Sequence, residues 1–210
     1  MIQHSDLSIP VYEKLKQMIF ENELQPGEKL LQEKLASRLG VSRTPLLKAL
    51  QMLEYDFLVE SIPRRGMFVK KLSIEEMHDI YDVREGIETV AVRLVSIRKT
   101  EKQLRQLKNI WKPFETQQPI EYEKYRKEDD RFHALLLDFS GNKILQKIYN
   151  HSVVQLRVVQ MGLMRPPEET LPEHLAILNA IEAGDSDKAE NEMKKHLRKS
   201  KSLIQENFKY

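Results

Sequence analysis

The chain has 210 residues, 40% hydrophobic and 31% charged, with 34 Lys and Arg against 32 Asp and Glu for a formal net charge of +2. That length bounds it to one large domain or two small ones, and so small a net charge excludes any argument for nucleic-acid binding from bulk charge, leaving only the distribution of cations. The lack of Cys excludes disulfides and thiolate metal sites, and with no apolar signal core at the N-terminus and no run near the ~18 apolar residues of a membrane span, a cytoplasmic protein without membrane contact is expected.

In chain order, the spacing of Val11, Leu15, Met18 and Ile19 predicts a first helix over Ile9–Glu21, ended by Leu24-Gln25-Pro26-Gly27. A second helix is expected over Leu31–Leu39, with Gly40 in the left-handed position after it. Ser42 is placed to cap a third helix, and Pro45 falls in its first turn, where a missing N–H costs little. Leu46, Ala49, Leu50 and Leu53 then form its apolar face. Phe57–Ile62 and Met67–Leu72 read as two short strands joined through Pro63-Arg64-Arg65-Gly66. Together these elements predict a winged helix-turn-helix.

Ser73-Ile74-Glu75-Glu76 is a capping box that opens a long helix over 74–98, with Ile74, Met77, Tyr81, Ile87, Val90, Ala91 and Leu94 at helical spacing. Only helices follow, over about 101–113, 120–139, 142–164, 168–183 and 186–207, with breaks at Ser140-Gly141, Arg165-Pro166-Pro167 and Gly184-Asp185. The expected fold is therefore mainly α. A winged helix-turn-helix spans 1–72, and an all-α bundle spans 73–210.

Phosphates attract cations, and base edges in the major groove accept forked donors such as Arg from a helix lying in that groove. Arg43 and Thr44 open the third helix, Lys48 follows within two turns, and no acid lies between Gly40 and Leu53. The wing adds Arg64 and Arg65 beside Gly66, with Lys70 and Lys71 further on. Any one such pair could be an ordinary solvated face; two basic stretches at the tips of one motif point to DNA.

GVSRTPLLKALQMLE and the following PRRGMFV resemble the DNA-binding domain of GntR-type bacterial regulators, whose usual stretch is GVSRTPVREALxxLExxGLV with a wing ending in RGxxV. The resemblance spans Val11 to about Val69 and implies DNA contacts by Arg43 and Thr44 and a wing-tip role for Gly66. The chain departs from the pattern at Leu47, where the family carries Arg. Lys48 supplies a charge one residue along but not the bidentate fork.

In the second half, Asp129 and His133 stand four apart on one helix and so share a face, while His174 and His196 lie on the last two predicted helices. His174 follows Pro172 at the opening of its helical region, and Asp130 competes with Asp129 for the same face. Imidazole and carboxylate donors converging from several helices suit Zn²⁺, Ni²⁺ or Mn²⁺. A lone His on a helix is more often an ordinary side chain, and His4, His78 and His151 are read that way.

The run DDRFH followed by SGN, the stretch EHLAILNAI and the terminal MKKH resemble signatures of the FCD ligand-binding domain, the helical effector module of the FadR-like branch of GntR regulators. That resemblance covers roughly Met77 to Gln205 and implies that Asp129, His133, His174 and His196 are metal ligands, as in the metal-binding members. Arg84, in VREGIE, matches a stretch of the first FCD helix. It could clamp an effector carboxylate, or form only a surface ion pair with Glu88.

The expectation is thus a homodimeric, non-enzymatic transcription regulator that binds an operator and is controlled by a small organic acid held at a divalent metal. Repression is the commoner behaviour in the family that it resembles. The sequence leaves two other readings open: a metal-dependent enzyme, and a regulator whose metal is purely structural.

Overall fold

The computed structural model describes residues 7–116, 119–151 and 165–207. The chain forms two compact units, the first running to Leu72 and the second starting at Ser73.

The N-terminal unit holds α1 (Ser8–Phe20), α2 (Gln32–Leu39), α3 (Arg43–Tyr55), β1 (Val59–Ile62) and β2 (Gly66–Val69). Leu15, Met18 and Ile19 of α1 meet Leu46, Leu50 and Leu53 of α3 in a core closed by Leu58, Val59 and Val69. Gly40 adopts φ 65°, and the reversal it permits turns α3 back across α2. Ser42 occupies the N-cap position, but its hydroxyl makes no capping hydrogen bond. What starts α3 is instead the extended backbone of Ser42 and the buried stripe that follows it.

The two strands pair antiparallel from Val59 opposite Val69 to Ile62 opposite Gly66. They are shorter than the pattern predicts. Phe57 takes a left-handed φ of 58° in the turn after α3 and is 67% exposed, so β1 cannot begin there. Three residues close the hairpin, with Arg65 N–H donating to the Ile62 carbonyl at 3.0 Å. Arg64 sits at φ 63° and Gly66 at φ 103°. A missed feature is the pairing of the segment before α2 with β2: Leu30 N–H donates to Met67 O and Val69 N–H to Glu28 O, both at 2.9 Å. The Pro26-Gly27 break gave no sign that the next residues return to the sheet.

The C-terminal unit contains α4 (Ile74–Arg98), α5 (Glu101–Thr116), α6 (Tyr122–Phe139), α7 (Lys143–His151), α8 (Pro167–Ala183) and α9 (Ser186–Asn207). The predicted capping box is complete: Glu76 N–H donates to Ser73 Oγ, and Ser73 N–H to the Glu76 carboxylate. α5 runs past Pro113 to Thr116 because Phe114, 1% exposed, anchors its last turn in an aromatic cluster with Trp111 and Tyr125. α8 likewise begins before Pro172, so His174 lies two turns inside it and does not open it. The remainder of the helix expected over 142–164 lies outside the described residues.

Along α4, Ile74 and Val90 are exposed rather than buried, although their spacing matched the core positions. α9 packs along α4 and α8, and α6 packs on α4, so four helices surround one interior region. Among the described residues, no helix is long and apolar enough to cross a membrane.

Candidate metal centre and DNA-binding face

Leu46, Ala49, Leu50 and Leu53 are fully buried, which turns the opposite side of α3 outward. Arg43, Thr44 and Lys48 are all exposed there, while Leu47 is half-buried. In the wing, Arg64, Arg65 and Gly66 are exposed at the hairpin tip. Arg64 is held in a backbone region costly for an L-residue, by roughly 1–2 kcal/mol. The Arg65 guanidinium lies over the Phe68 ring, 5.5 Å from its centroid. The wing thus presents its cations at the hairpin tip.

In the second unit, the imidazoles of His133, His174 and His196 converge from α6, α8 and α9, with one ligating atom of each inside 4.8 Å of the others. All three are buried, His174 completely. The fourth expected ligand is beside them: Asp129 Oδ1 lies 3.2 Å from His174 Nε2, and Oδ2 lies 4.0 Å from His133 Nε2. Burial and the neighbouring Asp129 charge push the Asp130 carboxyl up to about 6. His78 is a half-buried residue of α4; His4 and the side chain of His151 lie outside the described residues.

Each imidazole is held by its other nitrogen. His133 Nδ1 lies 2.5 Å from Glu88 Oε2, His196 Nδ1 lies 2.9 Å from Glu173 Oε2, and His174 Nδ1 lies 3.0 Å from Tyr125 Oη. Ionised carboxylates only accept, so the rings of His133 and His196 donate from Nδ1, and in their neutral form each keeps its lone pair on Nε2. His133 Nε2 and His174 Nε2 are buried and make no hydrogen bond within the protein. The 3.2 Å approach of Asp129 to His174 is not in line for one. Orphaned buried nitrogens of this kind are costly unless something else engages them. These two nitrogens, with the His196 ring and the Asp129 carboxylate beside them, fit a divalent ion with nitrogen ligands at roughly 2.0–2.1 Å.

The surroundings tune these groups. Burial alone would lower the affinity of His133 for a proton, but the Glu88 charge outweighs it and raises the pKa. Burial and the neighbouring histidines push His174 well below its ordinary value. Burial lowers His196 too, more than Glu173 raises it. Burial would raise Glu88, yet Arg84 and His133 hold it down at about 2. Glu173 stays far below the usual carboxylate range because His196, Arg165 and Lys199 all donate to it against its burial.

Arg84 does pair with Glu88, Nε to Oε1 at 2.6 Å, but the pair is interior, with side chains 7% and 1% exposed. The surface-pair alternative is thereby corrected. The guanidinium also covers the Tyr81 ring at 5.3 Å.

Sequence reasoning missed Glu88, Glu173, Tyr125 and Thr170 as supports of the centre. Helical spacing could have found some of them. Tyr125 precedes Asp129 by four residues, and Thr170 precedes His174 by four, so each shares a face with a ligand. Trp111 had no such signal; its ring stacks on His174 with centroids 4.3 Å apart and an interplanar angle of 7°.

A winged helix-turn-helix with an exposed cationic face, joined in one chain to a helical unit built around a His/Asp cluster, defines a DNA-binding regulator. Residues 7–69 match the gntR family of bacterial regulatory proteins, and residues 79–199 match the FCD domain. The chain belongs to the GntR family of transcriptional regulators and carries an FCD domain.

Relatives agree across nearly full length. The HTH-type transcriptional regulator YdhC of Bacillus subtilis (strain 168) is 30% identical over 192 residues, covering 88% of this chain and 85% of the relative. The HTH-type transcriptional repressor RspR of Escherichia coli (strain K12) is 26% identical over 200 residues, covering 93% and 88%. Among solved structures, E. coli McbR/YncC superposes with a TM-score of 0.76 at 20% identity, covering 99% of this chain and all of that one. A GntR structure from Rhodococcus sp. RHA1 gives 0.79 at 18% identity, covering 98% of this chain and all of that one. At those identities the structural likeness establishes the fold.

Proposed function

We propose that this regulator senses a small organic acid through a divalent metal in its C-terminal unit and adjusts its grip on an operator accordingly. The observation that carries the reading is the set of inward, unpartnered Nε2 atoms of His133 and His174 beside His196 and Asp129.

Three neutral imidazoles and one carboxylate bring a net charge of −1 to a divalent ion. The balance of about +1, in a buried site, favours an anionic ligand. Zn²⁺, Ni²⁺ or Mn²⁺ would supply positions for direct carboxylate coordination. Arg84 is the proposed second anchor. Its Nε is committed to Glu88, so a carboxylate would meet the Nη edge.

In the N-terminal unit, residues 1–72, Arg43, Thr44 and Lys48 are proposed to enter the major groove while Arg64 and Arg65 hold phosphates from the wing, with Gly66 permitting its tip. Residues 73–210 would bind effector and dimerise. Support for a homodimer comes from α4, where Val83, Val90 and Ile97 recur every seven residues and are 44%, 42% and 67% exposed. A second copy covering that stripe would present two recognition helices to a pseudo-palindromic operator. Repression is the sign we infer, in keeping with the repressor among the relatives.

Elemental analysis and metal titration test the site. The wild-type chain should take up a stoichiometric divalent ion, and a His133→Ala/His174→Ala/His196→Ala variant should not. Equal metal content in both rules the site out. Metal bound by the wild type, with no calorimetric response to any small carboxylate, would favour a structural ion.

A further inference from the structure

His133 and His196 each face a carboxylate, which can only accept, so a single partner fixes where the ring proton sits. His174 differs. Its Nδ1 faces the Tyr125 hydroxyl, which can donate or accept, so that contact leaves the tautomer open. The next link decides it. Tyr125 Oη lies 2.9 Å from Thr170 Oγ1, and Thr170 Oγ1 donates to the Pro166 carbonyl at 3.3 Å.

We propose that Thr170 and Tyr125 are positioning residues that set the tautomer of His174 through this chain, leaving its Nε2 lone pair free for a metal ion; the metal part rests on the function proposed above. A carbonyl oxygen cannot donate, so the Thr170 proton goes to Pro166. Thr170 Oγ1 then accepts from Tyr125, and Tyr125 Oη accepts from His174 Nδ1–H. The far end agrees independently. The opposite polarity would put the proton on Nε2, which is buried and has no acceptor in line. Tyr125, Thr170 and His174 are all buried, at 0%, 3% and 0% exposure, so bulk water is not at hand to replace a missing link. Thr170 would thus control a metal ligand without touching the metal.

The test uses full-length, metal-free protein labelled with ¹⁵N-histidine. Long-range ¹H–¹⁵N correlation reads which nitrogen carries the proton, and Zn²⁺ alone is the titrant. Wild-type His174 should be Nδ1–H. Thr170→Val keeps the shape but removes the acceptor for the tyrosine proton, which should turn toward His174 Nδ1 and move the ring proton to Nε2. Zinc affinity should then fall about 10–100-fold, the usual cost of losing a support behind a metal-binding His. Thr170→Ser restores the hydroxyl and should restore both readouts. Retention of Nδ1–H in Thr170→Val, or a serine variant that behaves like valine, would overturn the proposal. If Thr170→Val does not fold, Tyr125→Phe replaces it: loss of the single Nδ1–H state is expected, and an unchanged tautomer contradicts the chain. A tautomer that responds as described in a wild type that binds no zinc would support the chain and overturn the metal reading.

Discussion

Side chains at this centre work in layers, and the outer layer decides the behaviour of the inner one. Arg84 and Glu88 lie a helical turn apart and almost wholly buried, with Glu88 held near 2 by the guanidinium and His133. That carboxylate raises the proton affinity of His133, while His174 and His196 are lowered mainly by burial. The sign follows directly. Metal and proton compete for a neutral imidazole, and the group that holds its proton most tightly is the first to resist metal as pH falls. Metal affinity should therefore decline as pH falls through the raised pKa of His133, starting above the ordinary 6.5 of histidine. In the metal-free protein, the same raised pKa stabilises the fold below 6.5 and loses that contribution as pH rises through the folded value. Zinc titrations across pH in wild type and Glu88→Gln would check this, since without the carboxylate charge the decline should move to lower pH. At the DNA face, Arg43→Ala should cost about 1–3 kcal/mol of operator affinity and relax base preference. Arg64→Ala should instead weaken binding uniformly and flatten its salt slope by about one unit. Electrophoretic shift or anisotropy titrations at several salt concentrations separate the two. An Arg43→Ala variant with unchanged preference would remove α3 from the groove.

Elements show where sequence is a good guide and where it fails. The face of α3 was legible because Leu46, Ala49, Leu50 and Leu53 alternate at helical period with solvated residues, and all four are fully buried. The His/Asp cluster was legible as a cluster because Asp129 and His133 stand a turn apart and the resemblance pointed to His174 and His196. The groups behind those ligands were not, because Glu88 and Glu173 reach histidines on other helices and periodicity is blind across helices. Along α4 the pattern misled in an informative way: Val90 has core spacing but lies outward, in line with Val83 and Ile97. An apolar stripe of that spacing on a helix outside the core is what a partner helix covers. If a second copy covers that stripe as proposed, Val90→Asp should leave the fold intact and give a monomer by light scattering where the wild type is a dimer. A wild-type chain that is monomeric at micromolar concentration would contradict the dimer outright.

At the scale of the whole molecule, the chain divides into two units, each with its own core. The N-terminal unit has its own core and presents cations from α3 and the wing. The C-terminal unit gathers side chains from α4, α6, α8 and α9 about one buried point. The proposed regulation requires that occupancy at that point bias the arrangement of the DNA-binding units, which a ligand can do only by binding one arrangement better than another. A closed set of four protein ligands would leave an effector nothing to bind. The most direct measurement is X-ray absorption spectroscopy on the metal-loaded full-length protein. Carboxylate sensing at the metal predicts three imidazoles with additional oxygen neighbours, about five or six ligands in all, changing when a carboxylate is added. A four-coordinate site of protein ligands alone, indifferent to carboxylates, would contradict it.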